Sequence, residues 1–167
     1  MSIKQIIKII FLILLLNYEL PAQQVPQFVP YGYQTTTKVA RVVDGDTFVT
    51  FDSTRIRLLG IDTPELSSTD SINHKYAYCA KNFLDSLINN HTIKLTFESN
   101  TKDFFGRTLA YVWLTDKQGK DSLFIQAELL KKGYARIRYY PRGKRYYEIF
   151  YNLRRTAMKN NLGIWSR

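Results

Sequence analysis

Three carboxylates and two arginines in this chain stand where apolar runs begin or end. Asp46 closes the turn "DGD" at 44–46. Asp62 and Glu65 lie three positions apart in "RLLGIDTPE", behind Arg57, and Arg107 follows Gly106 at the head of another apolar run. Aligned strand ends would bring two or three of these acids together with no lysine among them. Carboxylates at close range repel unless a cation lies between them. Hard oxygen donors without imidazole suit Ca²⁺ or Mg²⁺, and two carboxylates with a backbone carbonyl leave coordination positions free for water and substrate. Arginine adds a planar, two-pronged donor matched to phosphate. A cation, a carboxylate to activate water and arginines for the equatorial oxygens make up a parts list for phosphodiester hydrolysis. Taken one at a time, each of these acids is also an ordinary turn or surface residue.

Several other chemistries fail on residue type. Two histidines and the single cysteine, Cys79, cannot build a Cys/His zinc site within the chain. GxGxxG and GxxxxGK are both absent, which removes the common nucleotide-cradling loops. An EF-hand counted from Asp44 needs a bidentate glutamate at its twelfth position and meets Arg55 there. His74 and His91 have no acidic neighbour to orient them, so both are expected on the surface. Cys79 falls in a helical pattern with Tyr76, Ala80, Phe83, Leu84 and Leu87 and is expected to pack as a small hydrophobe.

The elements that must position the acids follow from periodicity. Apolar and β-branched residues recur over 38–43, 47–51 and 54–61, divided by turn signals at Asp44-Gly45 and Asp52-Ser53; this predicts a three-stranded meander. A helix is predicted over 73–89, then strands over 91–98 and 107–115 joined by a turn at 103–106. Asp121 or Ser122 is expected to cap a helix that Gly133 stops, and a last helix is placed over 144–160. Five strands with helices interleaved late favour an α+β domain, and a small closed barrel would hide the sheet edges.

Residues 1–22 stand apart from that domain. Lys4 and Lys8 precede the apolar run 9–16 and Ala22 offers a cleavage position, the pattern of a secretory signal peptide. The run is short of the ~20 residues that span a bilayer, so no membrane span is expected after cleavage, and the location is secreted or periplasmic. Residues 23–36 hold prolines, glutamines and no charge, as an extended tether does, which leaves 37–167 as the folded domain. The whole chain is 45% hydrophobic and 23% charged, a globular mix, with a net charge of +10. Losing Lys4, Lys8 and Glu19 lowers that surplus by a single charge, so the surplus belongs to the domain and suits a polyanion. No heptad run or long apolar patch announces a stable protein partner, and a monomer is expected.

In order along residues 37–166, "VVDGDT", "RLLGIDTPE", "DFFGR" and "GIWS" resemble the staphylococcal nuclease (thermonuclease) family. The resemblance implies a five-stranded OB-fold-type β-barrel with three α-helices. It implies Ca²⁺-dependent endonucleolytic hydrolysis of DNA and RNA that leaves 3′-phosphate ends. Asp46 and Asp62 then match the carboxylate ligands of Ca²⁺, Thr63 the carbonyl ligand, Glu65 the general base, and Arg57 and Arg107 the phosphate-contacting arginines. Tyr139 and Tyr140 fall in the base-stacking region. Phe104-Phe105 stand where relatives commonly carry a basic residue and a tyrosine, and Phe105 would stack on a base instead. One alternative is a non-catalytic module that holds single strands on Tyr139, Tyr140 and Phe105 without cutting them. Another is an envelope-associated protein that uses its cationic face on anionic surfaces.

Overall fold

Exposed and buried side chains alternate along Gln34–Val42, from Thr35 through Val39 to Val42, as a strand with one face on a core requires. This strand, β1, organises the barrel. The computed structural model describes residues 32–98, 102–116, 118–141 and 143–166. Within them β1 is followed by β2 (Thr47–Thr50), β3 (Arg55–Leu58), β4 (Ile61–Asp62), α1 (Ser71–Ile88), β5 (Thr92–Thr96) and β6 (Thr108–Thr115). Then come β7 (Asp121–Phe124), α2 (Ile125–Lys131), β8 (Arg136–Ile137), α3 (Tyr147–Lys159) and a 3₁₀ turn at Gly163–Trp165.

The first half of β1 pairs antiparallel with β5, and the second half with β2. An irregularity in the β1–β2 register between Val39 and Arg41 marks where the strand passes from one partner to the other. β2 pairs with β3 and β5 with β6. β3 and β6 then meet in parallel, Ile56 opposite Thr108, which closes the ring β1-β2-β3-β6-β5. Closure removes the free edges that a five-stranded sheet would otherwise expose. Val39, Phe48, Ile56, Leu58, Ile93, Leu95 and Leu109 belong to one buried cluster with Leu84 and Ile88 of α1, Leu129 of α2 and Phe150 of α3.

The α+β class, the closed barrel and, among the described residues, the three helices stand as expected, while several boundaries move. Residues 54–61 do not form one strand. Gly60 adopts φ +87°, and a Cβ there would lie 2.7 Å from Cε2 of Phe150, so the chain breaks between β3 and β4 under the α3 aromatic. Asp121 and Ser122 do not cap a helix. They open β7, which pairs with β6 and stacks Phe124 on Trp113 with ring centroids 4.0 Å apart, and the helix starts only at Ile125. Helix α1 begins two residues ahead of its predicted start because the side chain of Asp70 accepts the Asn73 backbone N–H. The folded part begins before Thr37: Gly32 donates to the Phe97 carbonyl and Phe97 to that of Tyr33, each at 3.0 Å, so the last residues assigned to the tether extend the β1–β5 pairing. The expected signal peptide and the rest of the tether lie outside the described residues. Cys79 is half-buried and both histidines are exposed. Among the described residues no helix is long and apolar enough to cross a membrane.

Candidate active site

The Asp-Gly-Asp turn is built to bury a carboxylate. Asp44 accepts the Asp46 N–H at 3.0 Å, and the Val43 and Asp44 amides both donate to the Thr47 carbonyl. Gly45 lets this turn press against α1 and the segment after β4. A Cβ there would sit 2.6 Å from Cβ of Ala80 and 2.7 Å from Oγ1 of Thr63. Asp46 is 5% exposed. Its Oδ2 accepts from the Thr63 backbone N–H at 2.8 Å, the Thr63 hydroxyl at 3.0 Å and Arg57 at 2.9 Å, while the Thr47 hydroxyl donates to Oδ1 at 3.2 Å. Burial pushes the Asp46 carboxyl up from 3.8 to about 7, against the opposing pull of the Arg57 charge and the Thr63 hydrogen bonds.

Arg57 is itself buried on β3. Its Nη1 also donates to the carbonyls of Leu58 at 3.3 Å and Ile61 at 3.0 Å, and its Nη2 donates to Oδ1 of Asp62 at 2.6 Å. One guanidinium thus holds both aspartates, with charge-assisted bonds that fix their direction. Asp62 is placed by β4, which pairs with β8, Asp62 opposite Arg136. From the residue after β8, Arg138 donates to the same Asp62 oxygen at 3.1 Å.

Arg107 is set by the turn before β6. Asp103 accepts the backbone N–H groups of Phe105 and Arg107, each at 3.0 Å, with one carboxylate oxygen, and Nε of Arg107 at 2.8 Å with the other. Arg107 also reaches the Thr47 hydroxyl at 3.3 Å. Polar contacts therefore run without a break from Arg107 through Thr47, Asp46, Arg57 and Asp62 to Arg138. Glu65 follows buried Pro64 on an exposed loop, and none of the ion pairs among the described residues involves it.

Beside this chain of contacts lies a cavity of about 510 Å³, with Phe105, Arg107, Arg138 and Tyr140 in its lining. Phe105 and Tyr140 are thus brought to the site. Tyr139 is not in the lining; it meets Tyr147 edge-on at 6.1 Å and lies under the Lys144 ammonium. Sequence reasoning missed Asp103, Thr47 and Arg138. Asp103 was visible only as a turn residue, and nothing in "ARIR" says which element its arginines will meet.

The residues fit a hard divalent cation by donor chemistry. Asp46 and Asp62 offer hard carboxylate oxygens, held in place by Arg57, which both share, and by Arg138 on Asp62. Among the described residues no three His, Cys, Asp or Glu side chains gather in one metal-binding group.

The chain is thus an OB-type barrel whose strand ends carry two aspartates and two arginines beside a cavity with aromatic residues in its lining. The family model described as staphylococcal nuclease homologue matches residues 55–167. The thermonuclease of Staphylococcus intermedius is 36% identical over 132 residues, covering 77% of this chain and 75% of that protein. That of Staphylococcus hyicus is 34% identical over 136 residues, covering 80% and 77%. Endonuclease YncB of Bacillus subtilis is 33% identical over 132 residues, covering 76% and 60%. The chain belongs to the staphylococcal nuclease family.

Proposed function

We propose that this protein is an exported, Ca²⁺-dependent endonuclease that hydrolyses phosphodiester bonds of DNA and RNA and leaves 3′-phosphate ends. The observation that carries the reading is Arg57 holding Asp46 and Asp62 on its two terminal nitrogens at a strand end, with Thr63 bonded to the same Asp46. Asp46, Asp62 and the Thr63 carbonyl would hold the cation, which supplies positive charge to a phosphate oxygen when bound.

Glu65, exposed and outside the ion-pair chain, accepts the proton of the water that attacks phosphorus. Arg57 and Arg107 present forked donors to the oxygens on which charge builds, and Arg107 assists the departing 5′ oxygen. Asp103 and Thr47 restrict where the Arg107 side chain points, so less ordering is left for the bound state. Phe105 and Tyr140 offer faces on which a base of a single strand stacks.

The test is cleavage of single-stranded DNA by the purified protein in Ca²⁺, in Mg²⁺ and with metal chelated. Cleavage in Ca²⁺ that chelation abolishes, and that Glu65→Gln reduces by ~10²-fold or more with DNA affinity largely kept, is expected. Salt-sensitive binding of uncut strands in every metal would replace this reading with the stacking module.

A further inference from the structure

Arg138 is the one guanidinium touching Asp62 that the proposed reaction leaves without a task. We propose that Arg138 is a substrate-binding and positioning residue: it takes a phosphate flanking the scissile one, and holds Asp62 until a strand arrives. The inference rests on the nuclease reading above.

Its backbone is fixed, because β8 pairs with β4 and the Arg138 N–H donates to the Gly60 carbonyl at 3.0 Å. Its side chain is not enclosed. Arg138 is 52% exposed at the side chain where Arg57 is 3% exposed, and the two guanidiniums meet on a single oxygen of Asp62. Arg57 bonds that oxygen at 2.6 Å from inside the barrel. Arg138 donates from one terminal nitrogen at 3.1 Å, so most of its five N–H donors remain open to a ligand.

Arg138 is also in the lining of the cavity of about 510 Å³. Its acid, Asp103, is already paired with Arg107 at 2.8 Å, so Arg138 and Lys102 leave the lining with a positive surplus. The Arg138 guanidinium lies 5.7 Å from the centroid of the Tyr140 ring, which orients a planar cation beside a stacking face. A planar cation next to an aromatic face, with Phe105 in the same lining, fits one nucleotide: phosphate on the fork and base on the ring. Arg138 itself reaches Asp62 at 3.1 Å, so a phosphate on its fork neighbours the reacting one. Anchoring it sets the register of the strand and frees Asp62 from one of its two arginines.

The experiment uses the full protein with wild type, Arg138→Gln and Arg138→Lys. Binding of a fluorescent single-stranded octanucleotide is measured with metal chelated over a range of salt, then KM and kcat are measured in Ca²⁺. Arg138→Gln is expected to lower the slope of log affinity against log salt by ~0.7, the share of one phosphate on a single strand. KM should rise roughly 5- to 10-fold with a smaller change in kcat, as loss of substrate binding predicts. Arg138→Lys should keep the slope and recover part of KM, since it keeps the charge and loses the fork. An unchanged slope and KM in Arg138→Gln, in a wild type that cuts DNA, overturns the proposal alone. So does a fall in kcat with the slope unchanged, which would leave Arg138 only the holding of Asp62. A wild type that binds but never cuts overturns the nuclease reading, while the salt slope still decides whether Arg138 meets phosphate.

Discussion

Arg57 can hold two carboxylates because a guanidinium has two terminal nitrogens in one plane; an ammonium has a single point of charge. Arg57→Lys preserves charge, yet it cannot reach Asp46 and Asp62 in their present places together. Turnover is expected to fall ~10²- to 10³-fold, the usual cost of losing a directed donor to the transition state, and steady-state kinetics checks it. Asp46 makes a second prediction. Its folded-state value, about 7, lies above the ordinary 3.8, so the metal-free folded protein keeps a proton that the unfolded chain has released between those values. The stability this provides is present below about 3.8 and is lost as pH rises through about 7. A bound cation needs the anion, so Ca²⁺ affinity should weaken as pH falls below that value. Carboxyl ¹³C NMR should show one aspartate titrating near 7 with metal chelated, and at lower pH once Ca²⁺ is added; a midpoint near 4 in both would refute this.

At the scale of elements, the site depends on close approach. The 44–46 turn, α1 and the start of the 63–70 loop meet at Gly45, where a methyl group has no room between Ala80 and Thr63. Gly45→Ala should therefore cost ~1–3 kcal/mol as overpacking. It should also weaken Ca²⁺ binding, because the side chain pushed aside belongs to Thr63, which bonds Asp46. Urea midpoints and Ca²⁺ titration measure the two effects. A loss of stability with unchanged Ca²⁺ affinity would separate Thr63 from the cation. The β4–β8 pair works similarly: two residues on each side suffice to place Asp62 and Arg138 within reach of each other.

For the whole molecule, the charge surplus and the site act at different ranges. The acids that would hold a cation are buried or shared with arginines, while the net charge is +10 over the chain. A polyanion meets the surplus first and the carboxylates only on docking. Affinity for single-stranded DNA should thus fall roughly tenfold or more between 50 and 200 mM salt, as release of ions from a few phosphates requires. Equilibrium binding with metal chelated tests this, and salt-independent binding would remove phosphate as the main contact.

The sequence by itself determined the α+β class and the strand meander, and it singled out Asp46, Asp62, Arg57 and Arg107, which the structure joins by polar contacts. Those signals are local: turn residues, periodicity, and charges at the ends of apolar runs survive without knowledge of what lies across the barrel. Tertiary structure decided the rest, because it depends on contacts between segments far apart in the chain. "ARIR" reveals Arg138 but not Asp62, 76 positions away, on which it lands. "DFFGR" reveals a turn but not that Asp103 aims Arg107 at Thr47. Asp121 and Ser122 look like caps until β6 offers an edge that takes them into a strand. Only the closed ring of strands, which buries Asp46 against Arg57 and Thr63, turns a set of turn acids into one connected site.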